Sequence, residues 1–445
     1  MAREGLFEDL PETAAPGAAD AGAARLREPV RDQIELRAVD LDALIGPTHP
    51  VRVIWDYVQK LDLRELEAAV KAREHTPGQA PASPRLLLAL WLFATSEGIG
   101  SARALVRLCE SHDAYRWLCG GVSVNYHGLA DFRTAHPDLL DRLLTENIAT
   151  LSAAGVIDLD EVVQDGVRVR ASAGASSFRR KKKLHKELRK AERLLERLKR
   201  EIDEDPDASN RRIRSAQERA ARARAERVAA AQKALAEIER QREERARKRG
   251  RPSDKKNKKE PRASTTDPDA RVMKMADGGF RPAYNCQAAT VAQGQIVVAV
   301  EPQTTGSDRG LLRPMLDELQ RRYRRSPKRH LVDGGFNDQE DIEWAATAGV
   351  KVYCPPTRSK HRTDPYAPRS TDGPGVAAWR RRMKSPHGKG VFKRRGMGEC
   401  INARWRQWHL SQFTVRGCRK VKAVLLWFAL ANNILAGARM KTVAV

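Results

Sequence analysis

The stretch that decides the fold is VIDLDEVVQDGVRVRAS, residues 156–172. Its β-branched residues recur at alternating positions, which is typical of a β-strand. The residues before this stretch have a helical pattern, and the strand pattern returns only from Asp267. The strand carries Asp165 with a glycine directly after it, so this carboxylate can point out of a sheet toward a ligand.

Downstream of Asp267, strands alternate with helices. Strands are predicted for FRPAYNCQAATVA (280–292), QIVVAVEPQ (295–303), KRHLVDGG (328–335) and VKVYCPP (350–356). Helices are predicted for residues 307–325 and 337–349, and for about 392–410 and 417–436, with a basic Pro/Gly-rich loop at about 357–389. This order predicts an α/β domain built around one mixed sheet.

Between the two strand regions lies a highly charged segment, residues 179–251. Its apolar positions have the 4-3-4-3-4 spacing of a coiled-coil seam: Leu184, Leu188, Ala191, Leu195, Leu198 and Ile202. EDPDASN (204–210) interrupts the pattern, and a weaker stripe follows from about residue 211: Ala220, Val228, Ala231, Leu235 and Ile238. We therefore predict an antiparallel helical hairpin inserted into the α/β domain.

The N-terminal third is predicted to consist of a mobile tail followed by a helical domain. Residues 1–34 are rich in Ala, Pro, Gly and acids, and residues 35–154 have helical periodicity, as in HPVRVIWDYVQKL (49–61). A bundle of short helices suits either DNA-end binding or dimerisation. Residues 252–265 are basic and poor in apolar groups, which predicts a disordered linker that either touches phosphates or is simply solvated.

The overall charge favours a polyanionic partner. The chain has 82 Lys and Arg against 57 Asp and Glu, a formal net charge of +25, although ribosomal and membrane-surface proteins share this property. Its six cysteines show no zinc-site spacing. No signal peptide is evident, and the most apolar stretch, residues 421–436, is shorter than a membrane span. These features indicate a soluble, cytoplasmic protein of bacterial type.

Three carboxylates are candidates for chemistry. Asp165 and Asp333 each lie near the end of a predicted strand beside glycine, although Asp-Gly is also a common turn. Phe392, Arg395, Glu399 and Arg406 have spacings of 3, 4 and 7, which place them on one face of a helix. A surface ladder of ion pairs would show the same spacing, and the glycines at 396 and 398 weaken the helix prediction.

Taken together, the three acids suit phosphoryl transfer. Two divalent ions about 3.5–4 Å apart can activate a nucleophile and stabilise a leaving oxygen. Mg²⁺ prefers carboxylate oxygens to Cys or His ligands.

The ordered set of motifs resembles the bacterial insertion-sequence DDE transposases whose last catalytic Glu lies in a Tyr-x2-Arg-x3-Glu-x6-Lys signature. FKRRGMGECINARWR (392–406) is similar to this signature, with Phe392 for Tyr and Arg406 for Lys. The two Asp strands are similar to the family's, with Val167 where Thr and Phe336 where Tyr is usual. DPDARVMKMADGGFRPAYNCQAA (267–289), TTGSDRGLLRPML (304–316) and the N-terminal segments HPVRVIWDYV, SARALVRLCESHDAYRWL and DFRTAHP also resemble this group.

This resemblance spans about residues 35–440 and implies an RNase H-like catalytic domain, residues 155–178 and 266–440. It implies Asp165 on the first strand, Asp333 on the fourth and Glu399 on a following helix, holding two Mg²⁺ or Mn²⁺ ions. Arg395 and Arg406 would position Glu399 or contact DNA. The implied partners are double-stranded DNA, as transposon ends and target, and a second copy of the chain. An inert transposase-derived DNA-binding protein and a nuclease of the same fold remain alternatives.

Overall fold

The computed structural model describes residues 40–70, 80–204, 208–248, 260–357 and 364–443, together with residues 38 and 72. The tail predicted at 1–34 and residues 252–259 of the predicted linker lie outside the described residues. From Leu41 onward the described residues form one compact unit.

The N-terminal region consists of helices, as the periodicity predicted. They are α1 Pro50–Gln59, α2 Arg64–Ala68, α3 Pro84–Ser96, α4 Ala102–Ser111, α5 Asp113–Cys119, α6 Tyr126–Ala135 and α7 Pro137–Ala153. Val51, Ile54 and Val58 are fully buried along one face of α1. The hydroxyl of Ser101 accepts a hydrogen bond from Ala104 N and so caps the N-terminus of α4. Gly120 ends α5 in the left-handed conformation.

The remaining elements alternate between strands and helices. In chain order they are β1 Glu161–Arg170, β2 Phe178–Arg179, α8 Lys181–Glu204, α9 Ala208–Lys248, β3 Ala263–Ser264, β4 Arg271–Lys274, β5 Phe280–Val291, β6 Ile296–Gln303, α10 Leu312–Tyr323, β7 Arg329–Leu331, α11 Gln339–Thr347, β8 Lys351–Tyr353, α12 Pro374–Lys384, α13 Pro386–Lys393, α14 Gly396–Gln407 and α15 Cys418–Val443. The described part of the chain is therefore mixed α/β.

One mixed sheet lies in the main hydrophobic core of the described residues. Its strand order is β6-β5-β1-β7-β8, and β4 pairs with the beginning of β5 on the same side as β6. β5 runs antiparallel to β1, β4 and β6, whereas β7 is parallel to β1 and β8 is parallel to β7. Because β1 pairs with β5 on one side and with β7 on the other, it lies in the interior of the sheet.

The last helix joins the N-terminal helices to the sheet. α15 packs against β6 on one side and against α1, α3, α6 and α7 on the other. Apolar residues of all these elements belong to one hydrophobic core. The all-α region predicted at 35–154 forms its helices, but it has no core separate from that of the sheet.

The length and apolarity of α15 follow from this central position. Its stretch Cys418–Met440 is long and apolar enough by composition to cross a membrane, but 83% of its most apolar window is buried inside the protein. The apolar helix is thus longer than the stretch 421–436 picked out from the sequence. The side-chain amides of its two buried asparagines reach β6 and the turn before it, where Asn433 bonds Val297 N and O, and Asn432 bonds Gln295 O.

The charged segment forms the predicted antiparallel hairpin, α8 and α9. Lys181 lies 3.6 Å from Glu239, and His185 lies 3.3 Å from Gln232, so the two helices run in opposite directions. The predicted seam is buried at these positions: Leu184, Ala191, Leu198, Val228, Ala231 and Leu235. At the beginning of the α9 stripe the buried residue is Ala221, whereas the predicted Ala220 is exposed. The side chain of Ile202 lies outside the described residues.

Two short strands close the base of this hairpin. β2 and β3 pair antiparallel, and Ala263 packs against Leu184 and Leu235. Ala263 and Ser264 are fully buried. The disorder predicted for residues 252–265 therefore does not extend to these two residues, because apolar contacts with the hairpin order them.

The region after β8 differs most from its prediction. The predicted loop at 357–389 contains α12 and the beginning of α13, because Val376, Trp379 and Met383 form a buried helical stripe that the Pro/Gly content obscured. Residues 358–363 of that loop lie outside the described residues. The single helix predicted at about 392–410 is wrong as well, since α13 ends at Lys393 and α14 begins at Gly396.

Candidate active site

Asp165 lies in the middle of β1, on the face of the sheet covered by α14. Its Oδ1 accepts a hydrogen bond of 2.9 Å from the backbone N–H of Gly166. Its Oδ2 accepts one of 2.8 Å from Nδ2 of Asn402 in α14. Both oxygens are therefore held, and the carboxylate is fixed between the strand and the helix.

A glycine lets α14 approach β1 this closely. A Cβ added at Gly398 would lie 2.8 Å from Cγ1 of Val163 and 3.5 Å from Cβ of Asp165. Any larger residue at 398 would push the helix away from the strand. The glycine that argued against a helix in the sequence is thus a requirement of the packing.

Asp333 follows the neighbouring strand. It is two residues beyond the end of β7, and its Oδ1 accepts a hydrogen bond of 2.7 Å from Gly335 N. The thiol of Cys354, just after β8, donates to Asp333 O at 3.0 Å. Because β7 is parallel to β1 and Leu331 pairs with Val163, Asp333 follows β7 beside the position of Asp165 on β1.

The two aspartates are close enough to influence each other electrostatically. Burial raises the pKa of Asp165 above its usual range, and the negative charge of Asp333 raises it further. The Gly166 N–H, the Arg395 guanidinium and the Asn402 amide act in the opposite direction. The sequence therefore identified two carboxylates that are neighbours in space.

Glu399 lies in the first turn of α14, but its carboxylate pairs with Arg395. The Arg395 Nη2 to Glu399 Oε1 distance is 2.7 Å, and the Glu399 side chain is 59% exposed. The guanidinium carbon of Arg395 also lies 5.7 Å from the ring centre of Phe392, which belongs to α13. The four signature residues are thus not on one helix, because the break before Gly396 puts Phe392 on the preceding one.

Arg406 is exposed near the C-terminal end of α14, two turns beyond Glu399. Among the described residues, no three His, Cys, Asp or Glu side chains are gathered closely enough to hold a metal ion as they stand. The structure brings Asp165 and Asp333 together, and it leaves Glu399 engaged with arginine.

A further carboxylate, Asp308, lies near Asp333 and was missed in the sequence. A Cβ added at Gly335 would lie 2.9 Å from Oδ1 of Asp333 and 3.5 Å from Oδ2 of Asp308. A Cβ at Gly166 would lie 2.9 Å from Oδ1 of Asp308. Asp308 therefore occupies space that exists because residue 166 is glycine, whereas the glycine at 335 leaves room for the carboxylate of Asp333.

Two buried amides of β5 hold Asp308. Asn285 Nδ2 donates to its Oδ1 at 2.7 Å, and Gln287 Nε2 donates to the same atom at 3.0 Å. Both amides are 1% exposed. The other oxygen, Oδ2, faces Arg168 at 3.8 Å.

The hydrogen bonds continue from Gln287 across the sheet. Gln164 Nε2 in β1 donates to Gln287 Oε1 at 2.8 Å, and its Oε1 lies 3.0 Å from Nε2 of His330 in β7. We call Asp308, Asn285, Gln287, Gln164 and His330 the polar chain. Its buried members lie on three adjacent strands, so it ties these strands in register beneath the aspartates.

Some of these residues carried a signal in the sequence. Asn285 and Gln287 are polar residues two apart in an otherwise apolar strand, which predicts a polar strip on one sheet face. Asp308 lies in the SDRG segment before α10, but nothing local distinguishes it from a turn residue. Asn402 lies three residues beyond Glu399, on the same face of α14.

Comparison with known proteins adds two family matches. The family model described as Transposase domain (DUF772) matches residues 39–135, and the model described as Transposase DDE domain matches residues 260–434. Together they cover more than half of the chain. Asp308, Asp333 and Glu399 lie inside the second match, whereas Asp165 lies between the two. No curated protein and no solved structure matches the chain significantly.

The two matches occur in the order that the sequence motifs predicted, with the helical region first and the sheet region second. The hairpin α8–α9 lies between them. The chain therefore belongs to the DDE transposases of insertion sequences.

Proposed function

We propose that this transposase cleaves DNA at the ends of its element and joins the freed 3′ ends to target DNA. The observation that carries this proposal is the pairing of Asp165 and Asp333 on adjacent parallel strands, close enough for one charge to raise the pKa of the other. Closely spaced carboxylates are the ligands that metal-dependent phosphoryl transfer requires.

We assign the sheet to the RNase H-like class. Among the five strands β1, β5, β6, β7 and β8, Asp165 lies on the first and Asp333 follows the fourth. α14, which carries Glu399, packs against β1. These positions support the placement of the three residues that the family resemblance implies.

The residues around Asp165 and Asp333 fit a hard divalent cation such as Mg²⁺ or Mn²⁺. Their side chains offer carboxylate oxygens, and Oδ1 of Asn402, which is 6% exposed, has no hydrogen-bond partner among the described residues. A buried oxygen without a donor is costly, and a cation would satisfy it. Asp165 and Asp333 would hold both of two ions and Glu399 one of them, supplying an activated nucleophile and stabilisation of the leaving oxygen.

Arg395 acts on Glu399 in this proposal. It holds the carboxylate at the first turn of α14, and its positive charge favours the ionised form of Asp165. Glu399 reaches the aspartates only by giving up this ion pair. Arg395 would then be free to contact a DNA phosphate, and Arg406 would do so two turns further along.

We further propose that different segments of the chain have different roles. Residues 35–154 would bind transposon ends or hold two protomers together, and the hairpin within residues 179–251 would form a coiled coil that joins two protomers or braces the DNA ends. The expected assembly is a homodimer on double-stranded DNA in the bacterial cytoplasm, associated with the nucleoid. The net charge of +25 supports the DNA partner.

The decisive experiment is a two-plasmid transposition assay with the element's own flanking DNA as donor. Wild-type protein should integrate the donor in the presence of Mg²⁺, and Asp333→Asn should abolish integration while end binding stays nearly intact. An unfolded Asp333→Asn protein that has lost end binding would contradict the assignment of this residue.

The same assay separates the alternatives. Tight end binding without cleavage by wild-type protein would indicate an inert DNA-binding protein derived from a transposase. Metal-dependent cutting without strand transfer would indicate a nuclease of the same fold.

A further inference from the structure

Three arginines in the described part of the chain are almost completely buried, and they differ in their countercharges. Arg322 pairs with Asp141 and Glu318, and Arg380 pairs with Asp372 at 2.7 Å. Arg133, which is 8% exposed, forms no ion pair with a described carboxylate. A buried charge without a partner is strongly unfavourable, so an unpaired buried arginine calls for an explanation.

The contacts of Arg133 satisfy only part of its guanidinium. Nη1 donates to Gly100 O at 2.5 Å and to Thr414 Oγ1 at 3.2 Å. The guanidinium carbon lies 4.7 Å from the ring centre of Trp91. Nε is buried and has no hydrogen-bond partner among the described residues. Its polar partners are therefore neutral oxygens, and neither Nε nor Nη2 donates a hydrogen bond to a described residue.

This guanidinium borders a cavity of about 200 Å³ between the α3–α4 connection and the segment after α14. Aromatic and polar side chains share its wall, among them Trp408, His409, Thr414 and Phe428. His409 is exposed and forms the rim. The cavity is large enough for one tetrahedral anion, such as phosphate, including its oxygen atoms.

The local backbone is shaped to build this wall. His409 adopts a left-handed conformation with φ of 59°, which is unfavourable for a residue other than glycine. A Cβ at Gly98 would overlap its imidazole. The left-handed backbone at His409 and the absence of a side chain at Gly98 together place the His409 ring beside the cavity that Arg133 borders.

Arg133 keeps its charge at neutral pH. Burial is the cause that lowers its pKa to about 10, well above the working range of a cytoplasmic protein. A phosphate group would supply the missing countercharge and accept hydrogen bonds in the fork geometry of a guanidinium.

We propose that this cavity binds a phosphate group of the DNA backbone through Arg133. The segment that lines the cavity runs beside the end of β1, because Arg170 N donates to Ser411 O and Phe413 N donates to Arg170 O. Asp165 is five residues before Arg170 on β1, which is about 17 Å at the rise of a strand. That length is about five base-pair steps. A duplex that reaches Asp165 is therefore long enough to extend past the end of β1, where the segment that lines the cavity lies.

The test compares Arg133→Met with Arg103→Met. Methionine keeps an apolar stem against Trp91 and removes the charge. Arg103 is an exposed arginine with the same 4.7 Å distance to an aromatic ring, that of Tyr126, so its variant controls for loss of one positive charge and one cation–π contact. Melting temperatures are measured in sodium phosphate and in sodium chloride at matched ionic strength. DNA affinity is measured by fluorescence anisotropy on a duplex without added metal.

We expect phosphate to raise the melting temperature of wild-type protein and of Arg103→Met by about 2 °C or more over chloride, and to leave Arg133→Met unchanged. DNA affinity should fall about tenfold in Arg133→Met. The slope of log affinity against log salt concentration should decrease by the amount expected for about one phosphate contact. Because no cleavage is measured, a failure here is distinct from a failure of the catalytic proposal.

Two results would overturn the inference. Suppose that the melting temperature of Arg133→Met falls by the same amount in both salts, so that phosphate raises it as much as it raises that of wild type. Arg133 then serves only to connect Gly100 and Thr414 and does not bind phosphate. If phosphate stabilises wild-type protein but DNA affinity is unchanged in Arg133→Met, the cavity takes a free anion and the assignment to the DNA backbone is wrong.

Discussion

The sheet and the hairpin bury different kinds of side chain. Beneath the aspartates, the buried members of the polar chain are at most 1% exposed, yet their side-chain amides and the His330 ring bond one another across three strands. The hairpin has a thin apolar seam, and its charged residues form exposed ion pairs such as Arg240 with Glu237 at 2.7 Å.

The two regions differ in how strictly their interactions fix the positions of side chains. A buried hydrogen-bonded chain allows few alternative arrangements, because each broken bond leaves a buried polar atom unsatisfied. Exposed ion pairs contribute little individually, because water and salt screen them, and each can be exchanged for another. The sheet can therefore hold carboxylates to fixed positions, whereas the hairpin needs only its seam and its base.

The largest effect should come from the end of the polar chain. Asp308→Asn keeps an oxygen for Asn285 and Gln287 and removes a negative charge beside Asp333. We expect metal-dependent cleavage to fall about 100-fold, with weaker Mn²⁺ binding by electron paramagnetic resonance and a melting temperature close to that of wild type.

Asp317→Asn is the matched control for Asp308→Asn, because Asp317 is an exposed carboxylate on α10. It should leave cleavage and Mn²⁺ binding unchanged. Full activity of Asp308→Asn would show that Asp308 only fills the space beside Gly166.

The opposite end of the polar chain should give a pH effect on stability. Burial lowers the pKa of His330 to about 3 from 6.5, so the folded protein keeps this ring neutral while the unfolded chain protonates it. The stability that His330 contributes is complete above pH 6.5 and is lost as the pH falls from 6.5 toward 3. His330→Gln removes this titration.

Denaturant unfolding of wild type and His330→Gln measures the effect. Between pH 6.5 and 5.5, wild type should lose about 1 kcal/mol more of its free energy of unfolding than the variant. Equal losses would mean that the folded protein protonates His330, and the buried polar chain would then be open to solvent.

The smallest effect on folding should come from the hairpin. Replacing residues 184–238 with a short flexible linker removes most of the seam and leaves the main core intact. We expect the melting temperature to change little and the assembly of two protomers with paired DNA ends to be impaired, as measured by light scattering.

Unchanged assembly of the deletion variant would refute a role of the hairpin in pairing ends. A large loss of folding stability would contradict the comparison itself, because it would show that the sheet depends on the hairpin for support.

Periodic features of this fold could be predicted from the sequence. The alternation in β1 and the heptad spacing of α8 have strong signals, because burial on one face repeats every two or every three to four residues. The proximity of Asp165 and Asp333 followed from the strands that carry them. The glycines beside them also proved informative, since Gly166 makes room for Asp308 and Gly335 makes room for the carboxylate of Asp333.

The rest depends on long-range contacts that no local pattern records. Asp308 is separated from Gly166 by more than a hundred residues, and its role arises only when β5 and the loop before α10 meet over β1. Asn402 is one polar residue on a short helix until α14 is placed on Asp165. α12 was hidden by prolines and glycines that lie at its first turn, where helices tolerate them.

The central position of α15 has a consequence for biosynthesis. The N-terminal helices end at Ala153, but the helix that completes their core begins only at Cys418. At about 5–20 residues per second, the ribosome needs about 15–60 s to travel from one to the end of the other. During this time the apolar faces of the N-terminal helices lack the helix that covers them. A message truncated before residue 418 would yield a polypeptide without this central helix, and its N-terminal core would stay incomplete.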